Sequence, residues 1–465
     1  MALRRRHTTP VLLRDAAIAV CVAVAIAVYS WFMWKRLAEP HEGPPSALFG
    51  DARIMQEGFR DRCGRPTQGD EAIVVNVLHA EGLSPWISDA AERFMSRCPN
   101  TQLNLSSLED MEAVREVLSG SADPVLWVPS NSIAVDYLQE RWDAAGRGIP
   151  LLLEEGAPLL RSPMVLFIWE ERYRVLTALL EPLGVGATPW ARSLCAALPP
   201  DAPVELTGVR REAMVPGTWL EWKRARFGEA ASPHYPDDLL RQWGQVQIEH
   251  SSPTRTVTGL AALYLMAADF ARSRGEELGA ADATARGLEA EQAAFGRWIR
   301  RCEAGLDYPL ASAQLLIDRM FHVGSKYDGV VVPERLVFEL LDRINEHGPR
   351  MQRAHVAYPE VTVIDDHPAV LMWPGDPEMD DERASARRFV TYLRSEDQQR
   401  RAVERGFRPT HPQVLIREHD AAENPFLRLR SFGVEVEPSL RPLPRIGGAA
   451  LRRLVETWED ATGRN

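Results

Sequence analysis

From residue 73 onward, short runs of apolar and β-branched residues alternate with longer stretches whose apolar positions recur at helical spacing. Ile73–Leu78 predicts a strand and Pro85–Met95 a helix; Gln102–Leu105 with Asp110–Leu118, then Pro124–Val128 with Ser132–Trp142, repeat the unit. Three such units in succession predict a mainly parallel sheet covered on both faces. Met164–Trp169 is a further strand candidate, after which the chain becomes helix-rich. Gln245–Glu249 predicts a strand, followed by a hydroxyl-rich loop and a helix over Thr258–Arg272. Gly329–Val332 predicts another strand, with Pro333 placed where a helix can begin. Ala354–Ile364 and Ala369–Trp373 read as strands, and Asp381–Leu393, Asp397–Arg405 and Ala449–Asp460 as helices.

The N-terminal pattern is different. Ala16–Trp34 is apolar without a charge and carries Tyr29, Trp31 and Trp34, which favour a bilayer interface. Arg4, Arg5, Arg6 and Arg14 precede it and only Lys35 and Arg36 follow, a bias that puts the N-terminus inside and residues 37–465 outside. The run is too long for a signal-peptide core and lacks a small-x-small cleavage site, so an uncleaved anchor is expected. Val20 before Cys21 argues against a lipoprotein cysteine. The expected organisation is therefore a cytoplasmic segment (1–15), a membrane anchor (16–34), a Pro- and Gly-rich linker (37–70), two lobes, and a C-terminal extension with a helix (413–465).

A formal net charge of −11 disfavours general nucleic-acid binding, which needs clustered cations. Hydrophobic residues at 45% and charged residues at 26% are the composition of a folded globular protein. Four cysteines, Cys63, Cys98, Cys195 and Cys302, lie beyond the apolar run, and an oxidising compartment allows them two disulfides. Cys63 with Cys98 is the preferred pairing, since both should lie at the bottom of the first lobe; buried free thiols are the competing reading.

Four phrases carry a resemblance: Asn76-Val-Leu-His-Ala-Glu-Gly-Leu-Ser-Pro-Trp86, Pro124-Val-Leu-Trp-Val-Pro-Ser-Asn-Ser132, His250-Ser-Ser-Pro-Thr-Arg-Thr-Val-Thr-Gly259, and the set Tyr358-Pro, Asp366-His-Pro368 and Gly406-Phe-Arg-Pro409. In this order they resemble the bacterial extracellular solute-binding proteins, in the branch associated with von Willebrand factor type A domains. The resemblance covers about residues 72–412. It implies an α/β, two-lobed type II periplasmic-binding fold, with residues 72–160 plus 355–412 in lobe 1 and 161–354 in lobe 2. The family's Gly-Ser-Gly turn after the second strand is replaced by Ser106-Ser-Leu-Glu-Asp110, and no Asp-x-Ser-x-Ser phrase of a type A domain is present.

In an open α/β sheet, solutes sit beyond the carboxyl ends of strands, where helix N-termini direct free N–H groups. The candidate contacts are His79, Glu81 and Ser84 after the first strand, Ser106 and Ser107 after the second, and Ser130, Asn131 and Ser132 after the third. Ser251, Ser252, Thr254, Thr256 and Thr258 face them from the other lobe, with Arg255 as a nearby cation; Ser312 and Tyr327 are added because their positions resemble family cleft residues, with a surface or strand-end place the competing reading for Tyr327. Taken singly, each hydroxyl is more simply a helix cap; two such sets on facing lobes are what a clamshell needs. Asp365, Asp366 and His367 are metal-ligand types, but adjacent residues on a strand point to alternate faces and a turn is the simpler reading. Trp127, Trp142 and Trp169 fit a core, and no hydrolase or nucleotide signature is present.

The expectation is a membrane-anchored, extracytoplasmic (periplasmic) protein that captures a small polar or anionic solute without catalysis and presents it to a membrane transporter, with no cofactor or metal. The alternative is an interaction module that docks a von Willebrand factor type A-domain protein or another envelope partner.

Overall fold

A computed structural model of the chain describes residues 72–148, 150–180, 218–227, 236–273, 291–303, 309–321, 327–347, 353–373 and 379–464. The expected anchor and linker lie outside these residues. Among the described residues no helix is long and apolar enough to cross a membrane.

The first strand-helix units form as the alternation requires. Strands β1 (Ile73–Ala80), β2 (Thr101–Leu108) and β3 (Leu126–Val128) alternate with helices α1 (Ser84–Arg97), α2 (Asp110–Ser119) and α3 (Ser132–Ala144). β1 pairs parallel with β2 and with β3, as two strand-helix-strand connections predict. Strand β4 (Leu152–Pro158) was not visible in the pattern; it completes the sheet order β2-β1-β3-β11-β4 through antiparallel pairing with β11 (Pro368–Met372).

A second sheet is built on β5 (Leu160–Trp169), nine of whose ten residues are buried. β5 pairs antiparallel with β7 (Gly329–Pro333), which pairs parallel with β6 (Ile248–Glu249). β8 (Ala354–Ala357) and β10 (Ile364–Asp365) also pair with β5, so the single strand expected over 354–364 is three short pieces, with β9 (Val361–Thr362) between them. Around this sheet run α4 (Glu170–Leu180), α5 (Trp219–Phe227), α6 (Asp237–Trp243), α7 (Val257–Ser273), α8 (Gln292–Glu303), α9 (Ala313–Met320) and α10 (Glu334–His347). α7 is apolar almost all round and correspondingly buried, at Val257, from Gly259 to Ala268 and again at Phe270 and Ala271. The chain ends in α11 (Asp380–Leu393), α12 (Glu396–Glu404), β12 (Arg408–Pro409, against β5), β13 (Arg441–Pro442, against β9) and α13 (Gly448–Thr462).

Two connections between the sheets lie side by side. Leu159 alone separates β4 from β5, and Asp366 and His367 alone separate β10 from β11. The Leu159 N–H donates to the His367 carbonyl at 3.1 Å, and the His367 N–H to the Ser130 carbonyl at 3.0 Å. His367 has φ +42°, a left-handed conformation that costs a non-glycine residue energy and persists only when its surroundings enforce it. The turn expected at Asp365–His367 is this crossing.

Cys98, at the end of α1, is disulfide-bonded. Its expected partner, Cys63, lies outside the described residues.

Candidate functional site

The loops that follow β2, β3 and β6 meet. Glu109 caps α2, its Oε2 accepting the Met111 N–H at 2.7 Å. Its other oxygen, Oε1, accepts the N–H of Val257, the first residue of α7, at 3.2 Å. A carboxylate from the end of a first-sheet strand thus sits at the N-terminus of a helix from the second sheet, where the free donors and the positive end of the dipole favour an anion. A second bond joins the halves nearby: Arg335, at the start of α10, donates from Nε to the Gly82 carbonyl at 2.9 Å.

On the first-sheet side, the hydroxyl-bearing loop is organised by acids. The Ser130 N–H donates to Asp110 Oδ2 at 3.0 Å, and its hydroxyl to the same carboxylate. Asn131 caps α3 by accepting the Ile133 N–H at 2.9 Å and donates from Nδ2 to Asp365 Oδ1, also at 2.9 Å. The Ser132 N–H donates to Asp366 Oδ1 at 2.8 Å. Burial pushes Asp110 up to about 6, and burial with neighbouring acids pushes Asp365 and Glu109 up to about 8. Burial also raises Asp366.

On the second-sheet side, hydroxyls do the same work. Thr256 Oγ1 accepts the Gly259 N–H at 2.9 Å, lies 2.7 Å from Ser251 Oγ, and donates to the Ser252 carbonyl at 3.1 Å. Ser252 Oγ lies 2.9 Å from Thr254 Oγ1. Gly259 is required here, because a Cβ would collide with the backbone of Ser251 and Ser252. Behind the loop, His250 bonds through Nδ1 to the Ser251 carbonyl and through Nε2 to Glu303 Oε1, each at 2.8 Å. Glu303 also accepts Trp458 Nε1 at 3.0 Å and an Arg464 guanidinium nitrogen at 2.9 Å. Burial opposes charge on both members of this pair, but their mutual attraction outweighs it, raising His250 and lowering Glu303.

The sequence-predicted residues divide accordingly. Ser130, Asn131, Ser132, Ser251, Ser252, Thr254 and Thr256 belong to the facing loops just described, and Thr258 lies half-buried in the first turn of α7. Arg255 is exposed. His79 is buried at the end of β1, held to the Ala80 carbonyl at 3.0 Å, with desolvation lowering its pKa. Glu81 is exposed beside it in a single 3₁₀ turn. Ser106 and Ser107 lie within β2 rather than after it, and Ser107 Oγ lies 3.1 Å from Ser84 Oγ at the surface. Ser312 caps α9 through a 3.4 Å bond from the Leu315 N–H. Tyr327 is buried, and its carbonyl accepts Trp169 Nε1 at 2.9 Å. Trp127, Trp142 and Trp169 are core residues, as expected.

Sequence reasoning passed over Glu109, Asp110, Arg335 and Glu303 as site residues. The Glu109-Asp110 pair between a strand and a helix carried a cap signal; its reach across to α7 did not show. Among the described residues no group of acidic, His or Cys side chains could hold a metal ion.

Comparison with solved structures finds binding proteins of low identity. The substrate-binding protein of an ABC transporter from Agrobacterium tumefaciens is 11% identical, with 85% of this chain and 95% of that one covered and a TM-score of 0.45. The sulfate-binding protein SubI of Mycobacterium tuberculosis H37Rv is 13% identical over 82% and 96%, with a TM-score of 0.42. Maltose-bound T. maritima MalE3 is 14% identical over 84% and 100%, with a TM-score of 0.43. A search of curated proteins finds no match. The model of the bacterial extracellular solute-binding protein family matches residues 75–408, well over half of the chain, and this protein belongs to that family.

Proposed function

We propose that the chain is a membrane-anchored, extracytoplasmic receptor that captures a small polar solute between two lobes, without chemistry, and delivers it to a membrane transporter. One lobe is built on the sheet β2-β1-β3-β11-β4 and the other on the sheet around β5, which also takes in β8, β10 and β12 from the stretch 354–409. The observation that carries this reading is the meeting of Glu109 with the α7 N-terminus, which brings the strand-end loops of both sheets to one place. Loop hydroxyls and helix-terminal amides can hold a polar solute without a full countercharge, and closure of two lobes around it gives the partner a conformational signal. A solute screen by thermal shift, spanning anions, sugars, amino acids and metals, tests it. At a hundredfold excess over its dissociation constant a true solute adds about 2.7 kcal/mol of stability. No shift with any class, in protein shown to be folded, rejects solute capture.

A second reading is favoured by the same contact. Asp110, Glu109 and Asp366 already occupy backbone donors that a solute anion would use. In this reading the closed body is an interaction module for a type A-domain protein or another envelope partner. A pull-down that recovers the same partner with and without solutes supports it over capture.

A further inference from the structure

The C-terminal helix lies beyond the matched family region, and its two faces grip different parts of the molecule. On one face, Gly448 presses against the Asp136 carbonyl and Glu140 of α3, where a Cβ would collide. Four residues on, Arg452 Nε donates to Glu140 Oε1 at 3.2 Å. Just before the helix, Arg445 donates to Asp136 Oδ1 at 2.7 Å and to Glu155 Oε1 of β4 at 2.6 Å. On the other face, Thr457 Oγ1 accepts Gln292 Nε2 at 3.1 Å, and the Ala461 carbonyl accepts Arg300 Nε at 2.9 Å. Trp458 is buried and reaches Glu303. All three partners lie on α8, which packs on α7 through Phe270, Phe295 and Trp298.

α13 therefore ties α3 and β4 of the first sheet to α7 and α8 beside the second. Any rotation of one sheet against the other must slide the helix off one of them. The two attachments are unequal. The α8 side includes the buried Trp458 and the charge-assisted bonds of Glu303, whereas the α3 side adds to the close approach at Gly448 only partly exposed ion pairs, which are individually weak and screened by salt.

We propose that α13 is a strap that holds the two halves closed and lets them part when its α3 side is released, so that ion pairs of the C-terminal segment regulate entry to the crevice. This rests on the solute-capture reading for its purpose, but its test needs no solute. Amide exchange would be followed by mass spectrometry on the full chain in detergent, comparing wild type with the Arg445→Ala/Arg452→Ala double variant. The expected result is exchange about tenfold faster in the segments holding Val257 and Ser130, with β5 unchanged. High salt should shift wild type in the same direction, and Arg445→Lys/Arg452→Lys should recover most of the protection. Unaltered exchange at Val257 overturns the strap, as does a uniform rise that includes β5, which marks general destabilisation. A failed solute screen alongside faster exchange at Val257 rejects capture and leaves the strap standing.

Discussion

The loop after β3 and the loop after β6 carry the same residue types and lie to either side of the loop after β2, yet they are held in opposite ways. Ser130 and Ser132 donate their backbone N–H groups to Asp110 and Asp366, and Asn131 donates its side-chain amide to Asp365. Ser251, Ser252, Thr254 and Thr256 bond mostly to one another, and their loop is steadied from behind by His250 and Glu303. The first loop is thus acidic and costly to ionise, while the second is neutral at its surface with a buried ion pair as foundation. Carboxylates thus occupy the backbone donors of the first loop, whereas the second carries hydroxyls, with Glu109 at Val257.

The sharpest way to break this contrast is to remove the foundation. Glu303→Ala removes the acceptor that His250, Trp458 and Arg464 share, and removing one partner of a buried pair costs about 3–5 kcal/mol. Urea denaturation should register that loss; a change below about 1 kcal/mol would mean that the buried network is not needed. Asp110→Ala leaves the Ser130 donors unmet and should cost about 1–3 kcal/mol. Asp110→Asn keeps an acceptor while removing a charge that is already disfavoured, and should cost far less. A large loss in Asp110→Asn would show that Asp110 is needed as an anion.

The acid-held loop also predicts a pH dependence. Glu109, Asp110 and Asp365 have folded pKa values raised to about 8, 6 and 8, so the folded chain holds their protons more tightly than the unfolded chain. Their contribution to stability is full below the ordinary carboxylate range, near pH 4, and is lost as pH rises toward about 8. Midpoints of denaturation should therefore fall across that window, and the slope should flatten in Glu109→Gln/Asp365→Asn. An unchanged slope in the double variant would contradict the assignment. The smallest effect belongs to Ser312→Ala, which removes a long capping bond and should cost about 0.5–1 kcal/mol without altering any solute response. A lost response there would give Ser312 a part in solute binding.

Much of the architecture was written in the periodicity. The first three strand-helix units and the buried helix after Glu249 appear within a few residues of their expected bounds, because β-branched runs and helical spacing dominate there. β4 escaped because Leu152–Pro158 contains Glu, Gly, Ala and Pro, and it becomes a strand only by pairing with β11, over 200 residues away. Ser106 and Ser107 fall inside β2 and not after it, since the strand extends to Leu108. The hydroxyl-bearing loops after β3 and β6 follow from strand-end logic. Their partners do not, because Glu109 reaches Val257 across 148 positions and Asp366 reaches Ser132 across 234. Local pattern carries no signal for such pairs.

One carboxylate, that of Glu109, bridges the strand ends of the two sheets. Amide exchange at Val257 in wild type and in Glu109→Ala measures this directly. Slow exchange in wild type that becomes about tenfold faster in the variant, with the rest of α7 still protected, is the predicted result. Equal rates in the two proteins would contradict it.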